Sequence, residues 1–251
     1  QASMSFGRFL KTLDPNLYDQ YRLERYKEGD NGHANYKKPV DKYKQDSSVT
    51  AEKLDNNRRI YDSLLDRLDT LPDDHIAVKY VQNRLIPRNK WHLLYYIDDI
   101  KKMNNLSEKT KDKFFTHEDR LIIPYEDRKG HLTGFVGRAL RESEHQSRYI
   151  SGTISDHGPK IFGLYEVDMT KPIIVVEGQF DSLFLPNCVA VGGTDLKQIQ
   201  RFLPKNLCTL VFDYQPRNTQ LCKIIKQAID LGYKVSLLPD NFPGKDINDA
   251  V

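Results

Sequence analysis

The alternation of apolar and polar residues is most regular in the last third of the chain, after Pro172. Short aliphatic runs alternate there with stretches of helical spacing. The runs are IIVV, CVAVG, CTLVFD and KVSLL, and the helical stretches centre on Ser182, Leu196, Leu221 and Ile247. Nearly continuous aliphatic strands separated by helices are typical of a parallel sheet covered on both faces. We therefore predict an α/β fold for this part of the chain.

The middle of the chain predicts a mixed α+β segment. Apolar residues recur at helical spacing between Ile60 and Leu71, a second helix follows Pro72, and NKWHLLYYIDDIKKMNN predicts a third. From Arg120, two β-type runs flank the turn EDRKG and predict a hairpin. Residues 26–57 are polar and nearly devoid of aliphatics, which indicates an extended linker.

Composition narrows the class of protein without fixing its function. Hydrophobic residues make up 39% and charged residues 29% of the 251 positions, and no apolar run approaches the roughly 20 residues of a membrane span. We expect a soluble, cytoplasmic protein with no membrane partner. The net charge of +3 is compatible with a polyanionic partner but does not require one. The three cysteines lack C-x-x-C spacing, so neither a disulfide framework nor a zinc site is predicted within the chain.

Acidic residues follow three of the predicted strands. Glu177 ends the first, Asp213 ends the third, and Asp246 follows the fourth after a short loop. Because ligands of open α/β sheets bind outside the carboxyl ends of the strands, these acids are expected at one rim, with Asp181 within about one helical turn of it. Such a cluster is expected to bind Mg²⁺ and to support phosphoryl transfer. The alternative for each residue is a helix cap or a solvated loop acid.

These residues resemble a known family. VVEGQFD, VGGT, LVFD and KDIND resemble the TOPRIM module shared by bacterial-type primases, topoisomerases and some nucleases. The resemblance implies that Glu177, Asp213 and Asp246 hold magnesium, with Asp181 alongside as a catalytic acid. Where the family pattern has two further acids, this chain has Gln215 and Asn248. An amide oxygen can bind Mg²⁺ but carries no charge, so weak metal binding is expected in the free protein.

The segment before the sheet resembles the primases within that superfamily, those of T-even-like bacteriophages in particular. The matching stretches are YVQNRLIP, RLIIPYEDRKGHLTGFVGRAL, SRYISG and KIFGLYEV. The resemblance implies a TOPRIM-type sheet preceded by an N-terminal α+β primase subdomain. It also implies that Arg120, Arg138, Arg148 and Lys160 bind nucleotide and template. The alternative for each is a solvated surface charge.

The resemblance also implies the partners and the domain plan. We expect single-stranded DNA, ribonucleoside triphosphates and a replicative helicase as partners, and a zinc ribbon upstream of the first residue, Gln1. The predicted segments are 1–57 as helical lead-in and linker, 58–168 as primase subdomain and 169–251 as TOPRIM domain. The expected activity is primer synthesis, with Glu177 as metal ligand or general base. The alternatives are a TOPRIM nuclease or topoisomerase, and a non-catalytic module that binds nucleic acid or helicase.

Overall fold

Two five-stranded sheets carry the architecture in the computed structural model. The structure describes residues 51–114, 116–141, 147–193, 195–215, 217–244 and 246–251, with side chains from residue 57. The predicted lead-in and most of the predicted linker therefore lie outside the described residues. Helix α1, Ala51–Leu64, begins before the predicted linker ends at Asn57, so the extended interpretation is wrong for its last seven positions.

The first sheet is antiparallel throughout, in the order β1-β2-β3-β4-β5. Its strands are Asp66–Arg67, Tyr95–Ile97, Arg120–Glu126, Leu132–Ala139 and Tyr149–Thr153. The β3–β4 pair confirms the predicted hairpin. Its turn is closed by Asp127, whose Oδ1 accepts hydrogen bonds from the backbone N–H groups of Lys129 and His131. Gly130 supplies the left-handed φ of +79° that this turn requires.

The helical prediction for the middle of the chain is partly wrong. Helix α2 spans Ile76–Asn83 as expected after Pro72, but the third predicted helix is absent. Two 3₁₀ helices, Arg88–Leu93 and Ile100–Asn105, stand on either side of strand β2 instead. Pairing of β2 with β3 decides the conformation there, because aromatic and β-branched residues gain more from a sheet neighbour than from an isolated helical turn.

The second sheet confirms the predicted parallel α/β arrangement. Its order is β10-β9-β7-β8-β6, and only the edge pair β6–β8 is antiparallel. The strands in chain order are β6 Ile161–Phe162, β7 Ile173–Val176, β8 Cys188–Val191, β9 Cys208–Val211 and β10 Lys234–Ser236. The helices are α3 Gln179–Ser182, α4 Leu196–Phe202 and α5 Thr219–Asp230, and a 3₁₀ helix spans Asn248–Ala250.

One hydrophobic cluster continues from the first sheet into the second. It contains Leu121 and Val136 of the antiparallel sheet together with Val176 and Ala190 of the parallel sheet. Residues Ser47–Val251 accordingly form one compact unit. The predicted domain boundary after residue 168 stays a prediction, and strand β6 lies before it in sequence although it pairs into the second sheet. In the described part of the chain, the structure contains no helix long and apolar enough to span a bilayer.

Candidate active site

Three of the predicted acids line one small cavity at the carboxyl ends of β7 and β9. Asp181, Asp213 and Asp246 line this narrow space together with apolar residues that include Phe212 and Ile247. Neighbouring parallel strands bring their carboxyl ends to the same edge, which is why residues 32 or more positions apart in sequence meet. Of the acids predicted at one rim, Asp213 and Asp246 therefore share this space with Asp181, whereas Glu177 does not line it.

Asp181 is the most deeply buried of these acids, with 6% of its surface exposed. The pKa of Asp181 is raised to about 6, mainly by burial and in part by the negative charges of Asp246 and Asp249. The backbone N–H of Asn248 opposes this rise in the pKa by donating a 2.7 Å hydrogen bond to Asp181 Oδ1. Asp181 is thus a carboxyl group held inside an acidic cavity, where a cation would favour its charged form.

Gly178 caps helix α3 and determines where the Asp181 carboxylate can lie. Its backbone, at φ −85° and ψ 133°, is open to any residue, so backbone conformation is not the reason for glycine at this position. A Cβ at position 178 would instead lie 1.9 Å from Asp181 Oδ2. Glycine is needed here because the carboxylate occupies the space of a side chain.

We expect Gly178→Ala to lower catalytic turnover between about tenfold and a hundredfold, because the added methyl group must displace the Asp181 carboxylate by an ångström or more. The carboxylate is the far end of a flexible side chain, so the urea midpoint should change little. Steady-state kinetics beside urea unfolding check this. Full activity in Gly178→Ala would show that the position of Asp181 is unimportant.

Glu177 lies next to this cavity and does not line it. It borders an adjoining cavity of about 10 Å³ that is otherwise apolar and shares Val176, Val211 and Phe212 with the first. Glu177 Oε1 is buried and has no hydrogen-bond partner among the described residues. A buried carboxylate oxygen without a partner is costly, which favours a role in holding a bound group.

The two amide side chains predicted as metal ligands are engaged elsewhere. Gln215 is exposed, and its Oε1 accepts a 2.9 Å hydrogen bond from Asn218, the N-cap of α5. Asn248 Oδ1 accepts a 2.5 Å hydrogen bond from Arg84 Nη1. Neither amide lines the cavity, so neither is brought to it as a ready ligand.

The donor set suits Mg²⁺ in its chemistry. All the acids at the two cavities offer carboxylate oxygens, the ligand type that Mg²⁺ prefers, and Glu177 has an oxygen without a partner. No group of three His, Cys, Asp or Glu side chains in the described ranges is close enough to hold a metal ion by itself. The residues therefore fit an ion that binds through one or two carboxylates and completes its shell with water and phosphate.

The predicted basic residues divide into two buried and two exposed side chains. Arg120 is 1% exposed, with Nη2 bonded to Glu118 at 2.7 Å and Nη1 bonded to the carbonyls of Gly137 and Ser147 at 3.1 and 2.9 Å. Its guanidinium holds β3, β4 and the segment before β5 together. The prediction that Arg120 binds nucleotide or template is corrected, because its side chain is buried and both Nη atoms donate hydrogen bonds inside the protein.

Arg138 is also buried, at 6% exposure, and its guanidinium carbon lies 4.7 Å from the ring centre of Tyr149, which is 46% exposed. Arg148 and Lys160 are exposed. Arg138 can therefore contact a ligand only beside the exposed ring of Tyr149. Arg148 and Lys160 can contact a phosphate directly.

Sequence reasoning missed Arg84, the C-cap residue of α2. Its guanidinium lies over the rings of Tyr80 and Phe180 at 5.2 and 5.1 Å, and its Nε donates to the Tyr80 hydroxyl at 2.9 Å. It is thus a cation next to the acidic cavity. The stretch YVQNRLIP contains it, but no local pattern in that stretch shows that residues near 180 and 248 will surround it.

Comparison with known proteins assigns the chain to a protein family. No protein-family model matches it. The DNA primase of Enterobacteria phage T4 is 32% identical over 249 residues, which are 98% of this chain and 68% of the phage protein. The chain belongs to the DNA primase family. The resemblance inferred from the motifs is thereby confirmed.

Solved primase structures confirm the fold class. The Aquifex aeolicus primase, in a structure of its zinc-binding and RNA polymerase domains, is 22% identical with a TM-score of 0.56 over 98% of this chain and 66% of that one. A DnaG primase catalytic domain bound to single-stranded DNA is 18% identical, with a TM-score of 0.56 over 79% of this chain and 75% of that one. At these identities the likeness is one of fold, a primase catalytic core of α/β type.

Proposed function

We propose that this primase chain synthesises short RNA primers on single-stranded DNA by Mg²⁺-dependent nucleotidyl transfer. One observation carries the proposal: Asp181, Asp213 and Asp246, from separate parts of the chain, line one cavity at the carboxyl edge of a parallel sheet. Membership of the primase family supplies the reaction class, and the cavity supplies the oxygen ligands that the reaction requires.

In the reaction, the 3′ oxygen of the growing primer attacks the α-phosphorus of an incoming ribonucleoside triphosphate. The new P–O bond forms as the bond to pyrophosphate breaks, and the 3′ hydroxyl proton passes to Glu177 or to water. Asp213 and Asp246 would hold Mg²⁺, with Glu177 as a further ligand or as the general base, and Asp181 beside them. Mg²⁺, when bound, neutralises phosphate charge and aligns the attacking and departing oxygens. The protein contributes mainly position and electrostatics.

Arg148 and Lys160 are the proposed phosphate contacts, and Arg138 is proposed to orient Tyr149 beside them. Phosphate contacts position a strand without reading its sequence. We further propose a replicative helicase as partner and the bacterial host cytoplasm as location, because the T4 relative is a phage primase. The domain plan of 58–168 and 169–251 is retained as part of this proposal.

The function is tested by incubating the protein with ribonucleotides, Mg²⁺ and single-stranded DNA. Short RNA products that disappear when the metal is chelated support a primase. Cleaved DNA would instead assign the chain to the TOPRIM nucleases, and bound but unchanged DNA would leave a docking module. Either of the last two results overturns the proposal.

Lys160→Gln is expected to weaken single-stranded DNA binding several-fold and to reduce the salt slope of the logarithm of the binding constant by about 0.7, the value for one phosphate contact on a single strand. Fluorescence anisotropy across a series of salt concentrations measures both quantities. Lys129→Gln, which removes an exposed lysine from the β3–β4 turn, is the matched control. Equal changes in the two variants would rule out a phosphate contact at Lys160.

A further inference from the structure

Asn248 makes two side-chain hydrogen bonds, and both go to the same residue. Its Oδ1 accepts from Arg84 Nη1 at 2.5 Å, and its Nδ2 donates to the Arg84 carbonyl oxygen at 3.0 Å. The two residues are 164 positions apart, so these bonds join the end of α2 to the last turn of the chain. The amide therefore acts both as donor and as acceptor in one reciprocal pair.

The backbone of Asn248 continues the connection to the acidic cavity. Its N–H donates the 2.7 Å hydrogen bond to Asp181 Oδ1. Arg84 is in turn fixed by the Tyr80 hydroxyl and by the rings of Tyr80 and Phe180, the residue before Asp181. A rigid path thus runs from helix α2 through Arg84 and Asn248 to the Asp181 carboxylate.

The end of α2 adopts an unusual backbone that leaves the Arg84 carbonyl available to Asn248. Leu85 has a φ of +57°, a left-handed value that is uncommon for a residue other than glycine. The turn is closed by hydrogen bonds from Leu85 N–H to the Gln82 carbonyl and from Ile86 N–H to the Val81 carbonyl, at 2.9 and 3.1 Å. This strained helix end persists where the surrounding contacts determine it, and the Asn248 bond is one of those contacts.

We infer that Asn248 and Arg84 form a clasp that positions Asp181, and that Asn248 is not a metal ligand. The inference rests on the proposed function for the role of Asp181. It explains why asparagine stands where the TOPRIM pattern has an acid. A carboxylate could accept from the Arg84 guanidinium but could not donate to the Arg84 carbonyl, and two oxygens would then face each other. Arg84 and Asn248 are positioning residues that act through Asp181.

The first test compares Asn248→Asp with Asn241→Asp, which adds the same charge at an exposed position of the loop before the final 3₁₀ helix. The clasp predicts that Asn248→Asp lowers kcat about tenfold and does not lower the Mg²⁺ concentration for half-maximal activity, whereas Asn241→Asp changes neither. A metal-ligand role predicts the reverse, because a carboxylate binds Mg²⁺ better than an amide does. A lower Mg²⁺ concentration for half-maximal activity, with kcat unchanged in Asn248→Asp, would overturn the clasp.

The second test measures hydrogen exchange and does not depend on enzymatic activity. In the metal-free protein, Arg84→Lys should raise the hydrogen-exchange rate of the Asn248 amide about tenfold, because the lysine cannot hold the side chain that orients this N–H toward Asp181. Arg128→Lys, at an exposed position of the β3–β4 turn, is the control. An unchanged exchange rate at Asn248 in Arg84→Lys would overturn the clasp.

A double-mutant cycle links the two residues. Asn248→Ala combined with Arg84→Lys should reduce kcat no further than the more damaging single change, because both act through one contact; losses that multiply would contradict a shared role. Failure of the proposed function looks different from failure of the clasp. A wild-type protein that makes no primer rejects the function whatever the exchange data show. If the wild-type protein makes primers but the Arg84 and Asn248 substitutions change neither the Asn248 exchange rate nor kcat, only the clasp is rejected.

Discussion

Glu177→Gln is expected to reduce primer synthesis by about 10³-fold while leaving the fold intact. The substitution keeps the size of the side chain and removes its charge at the end of β7, where Oε1 is buried without a partner. Whether Glu177 holds the metal ion or takes the 3′ hydroxyl proton, the amide that replaces it can do neither as well. Single-turnover measurement of RNA product at saturating nucleotide and Mg²⁺ checks the result.

The matched control is Glu166→Gln, an exposed glutamate in the segment that follows β6. It changes the net charge equally and should leave primer synthesis within about twofold. Urea unfolding of both variants shows whether the loss is chemical, since removal of a buried unpartnered charge should leave the Glu177→Gln protein no less stable. Primer synthesis at the wild-type rate in Glu177→Gln would remove this residue from the active site and the main support for the proposed reaction.

Arg120→Gln is expected to destabilise the protein by about 3–5 kcal/mol, because it leaves Glu118 buried without its partner. The hydrogen bonds to the Gly137 and Ser147 carbonyls are lost as well. The equilibrium constant for unfolding would rise by more than a hundredfold. Urea denaturation followed by circular dichroism measures the change, and under conditions where the variant is folded its affinity for single-stranded DNA should equal that of the wild type.

Arg141→Gln provides the comparison from the same sheet. Arg141 pairs with Asp119 at 2.5 Å, but its side chain is 61% exposed, so its loss should cost at most about 1 kcal/mol. Replacing Arg120 and Glu118 together by leucine should recover much of the lost stability, because no buried charge is then left without a partner. If Arg120→Gln weakened DNA binding at unchanged stability, the template-binding role predicted from the family resemblance would be correct after all.

Arg120 shows where the motif argument reached its limit. An arginine at the start of a strand reads the same in sequence whether its guanidinium points to solvent or into the protein. The choice here depends on Glu118 and on two carbonyls from β4 and the segment before β5, which meet only after the antiparallel sheet has formed. Arg148 and Lys160 were predicted from the same family resemblance as Arg120, and their side chains are exposed.

The third predicted helix failed for a related reason. The spacing in NKWHLLYYIDDIKKMNN is compatible with a helix, yet its centre pairs with β3 over Tyr95–Ile97. A partner strand that lies more than 20 residues away in sequence cannot be read from local periodicity. By contrast, the hairpin from Arg120 and the parallel sheet were predicted correctly, because their signals, a turn flanked by β runs and aliphatic strands between helices, are local.

The sequence by itself determined the α/β class, the primase resemblance and the convergence of Asp181, Asp213 and Asp246, since strand ends of a parallel sheet share an edge whatever the details of packing. Only the tertiary structure decided how polar side chains are used there. It separated Glu177 into an adjoining cavity, buried Arg120 in an ion pair and joined Asn248 to Arg84. Hydrogen-bond partners are set by three-dimensional proximity between distant segments, and periodicity along a chain contains no information about that distance.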